Sequence, residues 1–401
     1  MRKTSVGLIS FVVAASVAHA QPTPTAEPAP APAPEVEAPA ATTSTPTLTP
    51  EVAPPDATPR AREAEVGKDA NVENKKTKKS RKKGKLEVSG YIQVFFKQRY
   101  DTNNDNSTEP SLFRVQRLRL AFSGKLAKKI SYSVDIDPRA PLITGVLRDA
   151  YVSFSVIPHH KIRVGQQKTL FGYENTISST RLYVVNRAAV SDGLSRGVTL
   201  RDIGIGLIGK IPVNDQFQVE DMITVVNGAG MNVQADDTHR KNIWGRLGVR
   251  YDNLDARVVV RLGVSAAWGD QREQVDPAMP NLTRPVIQFT RLGGDLEIDQ
   301  EYATVSAEYV RGTDTEADPN PLSGGGSSEL TGYYVQIVGK LPHDIGPLVR
   351  YDVLEQFKRW TFGGFWGGPE KKLRGLVNYE IYKDELGNHD HKLYLWLQAR
   401  F

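Results

Sequence analysis

The chain ends on a stretch, LYLWLQARF from Leu393 to Phe401, that places an apolar side chain at every second position. Successive side chains of an extended strand point to opposite faces, so one face here is apolar and the other is mixed. The same two-residue alternation recurs from Leu86 onward, for example over residues 130–137, and no helical period of comparable length appears. A terminal strand of this kind predicts a closed sheet, because closure removes the exposed edge.

Two environments produce such strands, a water-soluble sandwich and a membrane barrel. The second face carries Arg, Gly, Ser and acidic residues throughout the domain, as a water-filled interior would allow. Short connections such as LAKK and IPVNDQ alternate with long ones such as DTNNDNSTEP. Residues 86–401, at roughly 10 residues per strand plus connections, allow about 16 strands. We therefore predict an all-β transmembrane antiparallel barrel of about 16 strands, which is wide enough for an aqueous channel.

The part of the chain before the barrel is predicted to contain two segments. Residues 1–20 have the basic start, apolar run and small-residue end of a secretory signal peptide. Residues 21–85 are rich in Pro and Ala and then in Lys, so we expect them to be disordered and to lie in the periplasm. The barrel domain then occupies residues 86–401.

The basic character of the chain belongs to its N-terminal part. Residues 1–85 hold 13 of the 51 Lys and Arg residues and 9 of the 46 Asp and Glu residues, which leaves 38 basic and 37 acidic residues in the barrel. The dense run KKTKKSRKKGK, Lys75 to Lys85, is interpreted as a solvated spacer or as a contact with an anionic polymer such as cell-wall material. Because the barrel is nearly neutral, we expect its preference for anions to be only weak to moderate.

Enzyme and metal chemistry find little support in the sequence. Cysteine is absent, which excludes thiol catalysis and thiolate metal sites, and Ser195 lies in no recognisable nucleophile and base arrangement. The cluster His389-Asp390-His391 is interpreted as a solvated turn. We therefore expect no catalytic residues, no metal, no cofactor and no nucleic-acid partner.

Several motifs resemble the phosphate-selective porin O/P family. They are DAY at Asp149 to Tyr151, VGQ at Val164 to Gln166, FGYE at Phe171 to Glu174, RDIG at Arg201 to Gly204, and VRYD at Val349 to Asp352, together with Arg187 and the closing LWLQARF. The resemblance implies a 16-stranded barrel that is usually a homotrimer in outer-membrane lipid. It also implies a long loop, here from about Thr169 to Gly197, that folds inward and narrows the pore, and it implies a channel for small hydrophilic solutes.

A selective pore needs charges of one sign near its narrowest point. Strand parity and the position of the inward loop give these channel-lining candidates: Arg117, Arg119, Lys168, Arg181, Arg187, Arg196, Arg246, Arg250, Arg257 and Arg261. Arg can bind phosphate through charge-assisted, bidentate hydrogen bonds. Alternatively, many of these cations pair with Asp or Glu across the wall, for example with Asp135, Asp137, Asp295 or Glu297.

The sequence thus predicts an outer-membrane porin for passive diffusion that favours anions such as phosphate. Two alternatives remain open: a general or sugar-conducting porin without phosphate selectivity, and a mainly structural barrel that ties the outer membrane to the cell wall. Trp244, Tyr394 and Trp396 have inward parity and could guide a sugar, but an aromatic girdle or lumen filler is the interpretation that we favour.

Overall fold

The alternating segments form strands in the computed structural model, which describes residues 86–101, 111–139, 145–195, 200–233, 236, 240–272, 286–316, 327–383, 387 and 389–401. The predicted signal peptide and the segment 21–85 lie outside these residues. The strands are β1 Glu87–Asp101, β2 Ser111–Ala127, β3 Ile130–Ile136, β4 Leu147–Phe154, β5 His160–Lys168, β6 Arg201–Pro212, β7 Phe217–Val226, β8 Asn242–Asn253, β9 Val258–Arg272, β10 Val286–Gln300, β11 Ala303–Glu316, β12 Ser327–Gly339, β13 Ile345–Leu354, β14 Phe357–Trp366, β15 Leu373–Lys383 and β16 His389–Arg400.

Helical structure is scarce in the described part of the chain. Two short helices, α1 Tyr173–Thr176 and α2 Ala189–Gly193, lie between β5 and β6, and a 3-10 turn, Pro342–Asp344, joins β12 to β13. None of the described helices has the length and apolar character needed to span a bilayer.

The strands close into one antiparallel barrel, as predicted. Each strand pairs with its neighbours in sequence, and β1 pairs with β16 to close the sheet. In this seam Tyr91 lies opposite Arg400, and the backbone N–H of Phe401 donates to the carbonyl of Gly90 at 3.0 Å. The last residues therefore satisfy the backbone groups of β1 that an open sheet would leave unpaired.

The two faces of the wall differ as the sequence pattern indicates. On β16, Leu395 and Leu397 are about half exposed on the outside, whereas Tyr394, Trp396 and Gln398 are buried inside. An apolar outer face and a polar inner face suit a wall that separates lipid from an aqueous lumen.

The two rims of the barrel differ in the length of their connections. At the rim that holds Leu86 and Phe401, here called the short-turn rim, the connections are two to six residues long. At the opposite rim, the long-loop rim, the longest connection is residues 169–200, between β5 and β6. In membrane barrels of this kind, short turns are typical of the periplasmic rim.

The structure corrects the interpretation of the His389-Asp390-His391 cluster. These residues do not form a solvated turn, because they begin β16 and Asp390 is only 5% exposed. The Asp390 carboxylate accepts an ion pair from Arg99 at 2.7 Å and the hydroxyl hydrogen bond of Tyr382. The alternating pattern of β16 begins at His389, before the apolar residues from Leu393 onward that predicted the strand.

Candidate functional site

The connection between β5 and β6 folds into the barrel, as the resemblance implied. Its apolar side chains pack against the inner wall in two clusters. One cluster joins Phe171, Ala188, Val190 and Leu194 to Trp244, Phe289, Val310 and Tyr334, and the other joins Leu182, Val184 and Val185 to Phe365, Leu376, Tyr394 and Trp396. The inward aromatic residues therefore fill the lumen beneath this segment. We call the described residues of this connection, 169–195 and 200, the inward segment.

Glu308 on β11 fastens both ends of the inward segment. Its carboxylate accepts hydrogen bonds from the backbone N–H groups of Tyr173 and Glu174, at 3.0 and 3.1 Å, and from the hydroxyl of Ser195 at 3.2 Å. Gly172 precedes these donors with a φ of 67°, and a Cβ there would collide with the Glu308 carboxylate. Glycine thus lets the chain approach the wall closely enough to bind it.

Glu174 makes the second attachment. It pairs with Arg350 on β13 at 2.8 Å and accepts a hydrogen bond from the backbone N–H of Ala188 at 2.9 Å. Burial alone would raise the pKa of the Glu174 carboxyl, but the positive charges of Arg350 and Arg187 outweigh this effect and lower the pKa below its ordinary value. Glu174 is therefore held as a carboxylate.

Further buried side chains of β14 and β15 bind the backbone of the inward segment. Arg359 donates to the carbonyl of Arg187 at 2.6 Å and pairs with Asp352 at 3.0 Å. Arg374 donates to the carbonyls of Thr180 and Leu182, and the Asn378 side-chain oxygen accepts from the backbone N–H of Val185 at 2.8 Å. The inward segment therefore lies against the wall from β8 through β16 to β1 and β2, and on β2 the Gln116 side-chain amide donates to the carbonyl of Val185 at 3.3 Å.

A cluster of cations lies beside the inward segment, on β2, β4, β5 and β6. The basic cluster, as we define it, consists of Arg117, Arg119, Arg148, Lys168 and Arg201 on the wall and Arg187 on the inward segment. Its members interact electrostatically: Arg201, Arg187 and Arg119 all act on Lys168, and Arg187 and Arg119 act on Arg117. The strands bring these residues together from a span of 85 positions in the chain.

The carboxylates within this cluster are fewer than its cations. Asp149 accepts two hydrogen bonds from Arg201, at 3.1 and 2.9 Å. Asp135 lies 3.4 Å from Arg119, and Asp137 lies 3.7 Å from Arg119 and 3.5 Å from Arg148. Among the described residues, three carboxylates thus lie close to the six cations, and Glu174 and Asp192 of the inward segment also act on Arg187 and Arg117.

Two of the cations are bound by neutral groups rather than by a carboxylate. Arg117 donates to the side-chain oxygen of Gln93 at 3.0 Å, and the Lys168 ammonium donates to the carbonyl of Asn175 at 3.4 Å. Within the described residues neither cation lies within 4.0 Å of a carboxylate. Arg187 donates to the backbone carbonyls of Glu174 and Ile177. Arg117 and Lys168 are thus held by neutral oxygens.

The sequence-predicted cations of β8 and β9 are instead paired. Arg246 forms a two-point contact with Asp295, at 2.9 and 2.5 Å, and both side chains are almost fully buried. Arg250 pairs with Asp252 at 2.8 Å, and Arg261 pairs with Glu297. For these three Arg residues the structure shows pairing with carboxylates of the wall, which was one of the two alternatives left open by the sequence.

The remaining candidates lie in connections. Arg181, on the inward segment, pairs with Glu370 at 2.8 Å and is largely exposed. Arg257 does not share a strand face with Arg261, because it lies in the turn before β9 with a φ of 50° and pairs with Glu301 at 2.6 Å. Arg196 lies outside the described residues.

Five Arg residues of the site were not among the candidates predicted from the sequence. They are Arg148 and Arg201 in the basic cluster and Arg350, Arg359 and Arg374 beneath the inward segment. Arg201 and Arg350 could have been identified from the sequence, because both belong to the motifs that carry the family resemblance. Strand parity would also have placed Arg359 and Arg374 inside, but nothing local in the sequence shows that their partners are backbone carbonyls of a distant segment.

A closed barrel with an apolar outer face, a polar inner face and a segment folded into its lumen defines a porin, an outer-membrane channel rather than an enzyme. The family is shown directly: the model of the phosphate-selective porin O and P family matches residues 86–291, which is half of the chain. The chain belongs to that family. The search of curated proteins found no match.

Solved structures with the same fold include three porins or channels. The anion-selective porin from Comamonas acidovorans is 13% identical, with a TM-score of 0.56 over 80% of this chain and 100% of that one. The outer membrane channel DcaP of Acinetobacter baumannii is 12% identical, with a TM-score of 0.54 over 80% and 99%. OmpT of Vibrio cholerae in its trimer form is 10% identical, with a TM-score of 0.52 over 79% and 99%. At these identities the likeness concerns the fold.

Proposed function

We propose that this porin lets small hydrophilic solutes diffuse passively and favours anions, phosphate among them, at the basic cluster. The proposal rests on the excess of positive charge around Lys168 and Arg117. Neutral oxygens bind these two cations, whereas other predicted lining cations are neutralised by carboxylates. A field of one sign at a narrow point raises the local concentration of the opposite ion. The inward segment narrows the lumen and contacts this cluster through Lys168 and Arg187, so passing ions approach the cluster.

Phosphate suits the same arrangement for a chemical reason. Arg117 presents a planar guanidinium group that can donate paired hydrogen bonds to phosphate oxygens, and the Lys168 ammonium adds a compact charge. The anion selectivity named for the Comamonas acidovorans porin and the description of the family agree with this proposal.

We further propose that the chain assembles as a homotrimer, because a related fold is described in a trimer form. In this proposal residues 1–20 are removed on export. Residues 21–85 then form a disordered arm on the periplasmic side, since Leu86 lies at the short-turn rim. Contact of Lys75–Lys85 with anionic cell-wall material is part of the proposal and is testable by co-sedimentation with purified wall fragments.

The test is recording in a planar bilayer under a potassium chloride gradient, followed by titration with phosphate. We expect a reversal potential that favours chloride and block of the current by phosphate. In the double variant Lys168→Gln and Arg117→Gln, the permeability of anions relative to cations should fall on the order of threefold.

The control is Arg311→Gln, which removes a positive charge from the exposed outer face of β11 and should leave the reversal potential unchanged. An unselective or cation-favouring current in the unaltered protein would contradict the proposal and leave a general porin. Absence of current in correctly folded protein would favour a structural barrel.

A further inference from the structure

The connection between β7 and β8 also reaches the basic cluster, through its first residues, 227–232, which read NGAGMN. Three of them adopt left-handed backbone angles, with a φ of 100° at Gly228, 90° at Gly230 and 66° at Asn232. Glycine and asparagine adopt such angles at the least cost, so this stretch forms a compact turn rather than an extension of β7. We call residues 227–232 the clasp.

Asp202 on β6 holds the first part of the clasp. It is 4% exposed, and one carboxylate oxygen accepts hydrogen bonds from the backbone N–H groups of Gly228 and Gly230, at 2.7 and 3.2 Å. The other oxygen accepts from the backbone N–H of Ile203 at 2.7 Å. Both oxygens thus serve as acceptors, and a side-chain amide in their place would set its NH2 group against at least one of these donors.

Gln166 on β5 holds the end of the clasp. Its side-chain oxygen accepts from the backbone N–H of Asn232 at 2.7 Å, and its NH2 group donates to the side-chain oxygen of Asn232 at 3.1 Å. The same NH2 group donates to the carbonyls of Leu147 and Arg148 on β4, at 3.0 and 2.8 Å. Gln166 therefore joins the clasp to the backbone of β4.

The clasp also meets the side chain of Arg148, a member of the basic cluster. The register of β3 and β4 shifts between Asp135 and Ile136, so Arg148 lies in a β-bulge, a feature that re-aims a side chain. Its guanidinium lies 3.5 Å from the Asp137 carboxylate and 3.7 Å from the sulfur of Met231. Met231 is only 9% exposed, so it is packed beside the cluster.

The path of the clasp covers the part of the wall that carries the cluster. Starting from the end of β7, it contacts β6, then β5, then β4, the strands that hold Arg201, Lys168 and Arg148. The inward segment contacts the same cluster through Lys168 and Arg187. Two connections therefore meet the basic cluster at the long-loop rim.

These contacts give a physical role to two residues of the family motifs. Gln166 ends the VGQ motif and Asp202 is the second residue of the RDIG motif, and both side chains are almost fully buried. Each uses its side-chain polar groups to bind backbone of the clasp. Their contacts therefore extend beyond their own strands to the mouth of the barrel.

We infer that the clasp is a second pore-shaping segment, held by Gln166 and Asp202, and that Met231 borders the path of ions beside Arg148. Together with the inward segment it limits the space through which a solute reaches the basic cluster. The inference rests on the proposed function only where it assigns that cluster to the passage of anions.

The experiment uses a single engineered thiol, since the chain contains no cysteine. Met231→Cys is made in the full-length protein and treated with an anionic methanethiosulfonate reagent, which forms a mixed disulfide and attaches a sulfonate. In a planar bilayer we expect the modification to lower the single-channel current, because it adds bulk and negative charge at the narrow part of the path. An unchanged current after complete modification, verified by mass spectrometry, would overturn the inference.

The second measurement tests what holds the clasp in place. Adding Asp202→Asn to Met231→Cys should raise the rate at which the thiol reacts about tenfold, the effect of losing one hydrogen bond to a charged group. Gln166→Met, which leaves Asp202 intact, should act in the same direction and provides the test if the first variant does not fold. Rates equal to that of Met231→Cys alone in both variants would overturn the role given to Gln166 and Asp202.

The matched control is Asp215→Asn in the Met231→Cys protein, which removes the same charge from an exposed residue of the turn between β6 and β7 at the opposite rim. It should leave the thiol as protected as before, and an equal increase in rate would show an unspecific charge effect and contradict the inference. These readouts do not depend on ion preference. An unselective current in the unaltered protein would contradict the proposed function, while a protected thiol whose modification lowers the current would still support the clasp.

Discussion

At the scale of single residues, buried charges decide whether the inward segment stays attached to the wall. The side chains of Glu174 and Arg350 are 4% and 0% exposed, and each is the other's main counter-charge. Removing one member of such a pair leaves an uncompensated buried charge, which costs more than the intact pair contributes. The attachment is therefore sensitive to neutralisation of Glu174.

We predict that Glu174→Gln lowers the free energy of unfolding by about 3 kcal/mol, measured by urea-induced unfolding at neutral pH. Glu329→Gln is the control, because Glu329 belongs to an exposed pair with Arg311 and should cost under about 1 kcal/mol. Equal effects of the two substitutions would contradict the role given to Glu174.

The same pair predicts how the stability of the barrel changes at acidic pH. Because the folded protein lowers the pKa of Glu174 below 4.5, its contribution to stability is fully present above that value. It is lost as the pH falls through the lowered, folded-state pKa. The stability difference between the unaltered protein and Glu174→Gln should therefore shrink only below about pH 4.5, and a difference that vanished already near neutral pH would be inconsistent with this account.

At the scale of elements, the closing seam between β1 and β16 depends on close contact. A Cβ on Gly90 would lie 2.6 Å from the ring of Phe401 and would also collide with the carbonyl of Arg119 on β2. The seam thus has no space for a larger residue where the end of the chain meets β1.

We predict that Gly90→Ala destabilises the folded barrel by about 2 kcal/mol through overpacking. The measurement is the urea midpoint of unfolding, with Gly294→Ala as the control, since a Cβ on Gly294 would meet its nearest atom at 3.9 Å. A seam that tolerates Gly90→Ala as well as the control would show that Phe401 can move aside freely.

At the scale of the whole molecule, the distribution of charge matters more than its sum. The barrel domain has nearly equal numbers of acidic and basic residues, yet its charges are arranged unevenly. Arg246, Arg250 and Arg261 are matched by carboxylates, whereas the basic cluster has more cations than carboxylates. A near-neutral wall can therefore present a positive field at one place.

We predict that the double variant Arg246→Gln with Asp295→Asn leaves the reversal potential under a salt gradient unchanged, because the pair it replaces is already neutral. Lys168→Gln, recorded under the same conditions, should shift the reversal potential toward the equilibrium potential of the cation. A shift of equal size in both variants would show that the buried pair contributes to the field in the lumen.

The fold class, the two faces of each strand and the closure at Phe401 were predictable from the sequence, because a period of two residues is a local property that each strand carries by itself. The pairing of the charges was not. Asp295 neutralises Arg246 across 49 residues. Likewise, the path of the inward segment depends on Glu308 and Arg374, which are far from it in sequence. The sequence by itself determined which side chains face inward, and only the tertiary structure decided which of those charges remain to act on a passing ion, since neutralisation depends on distances that closure of the barrel creates.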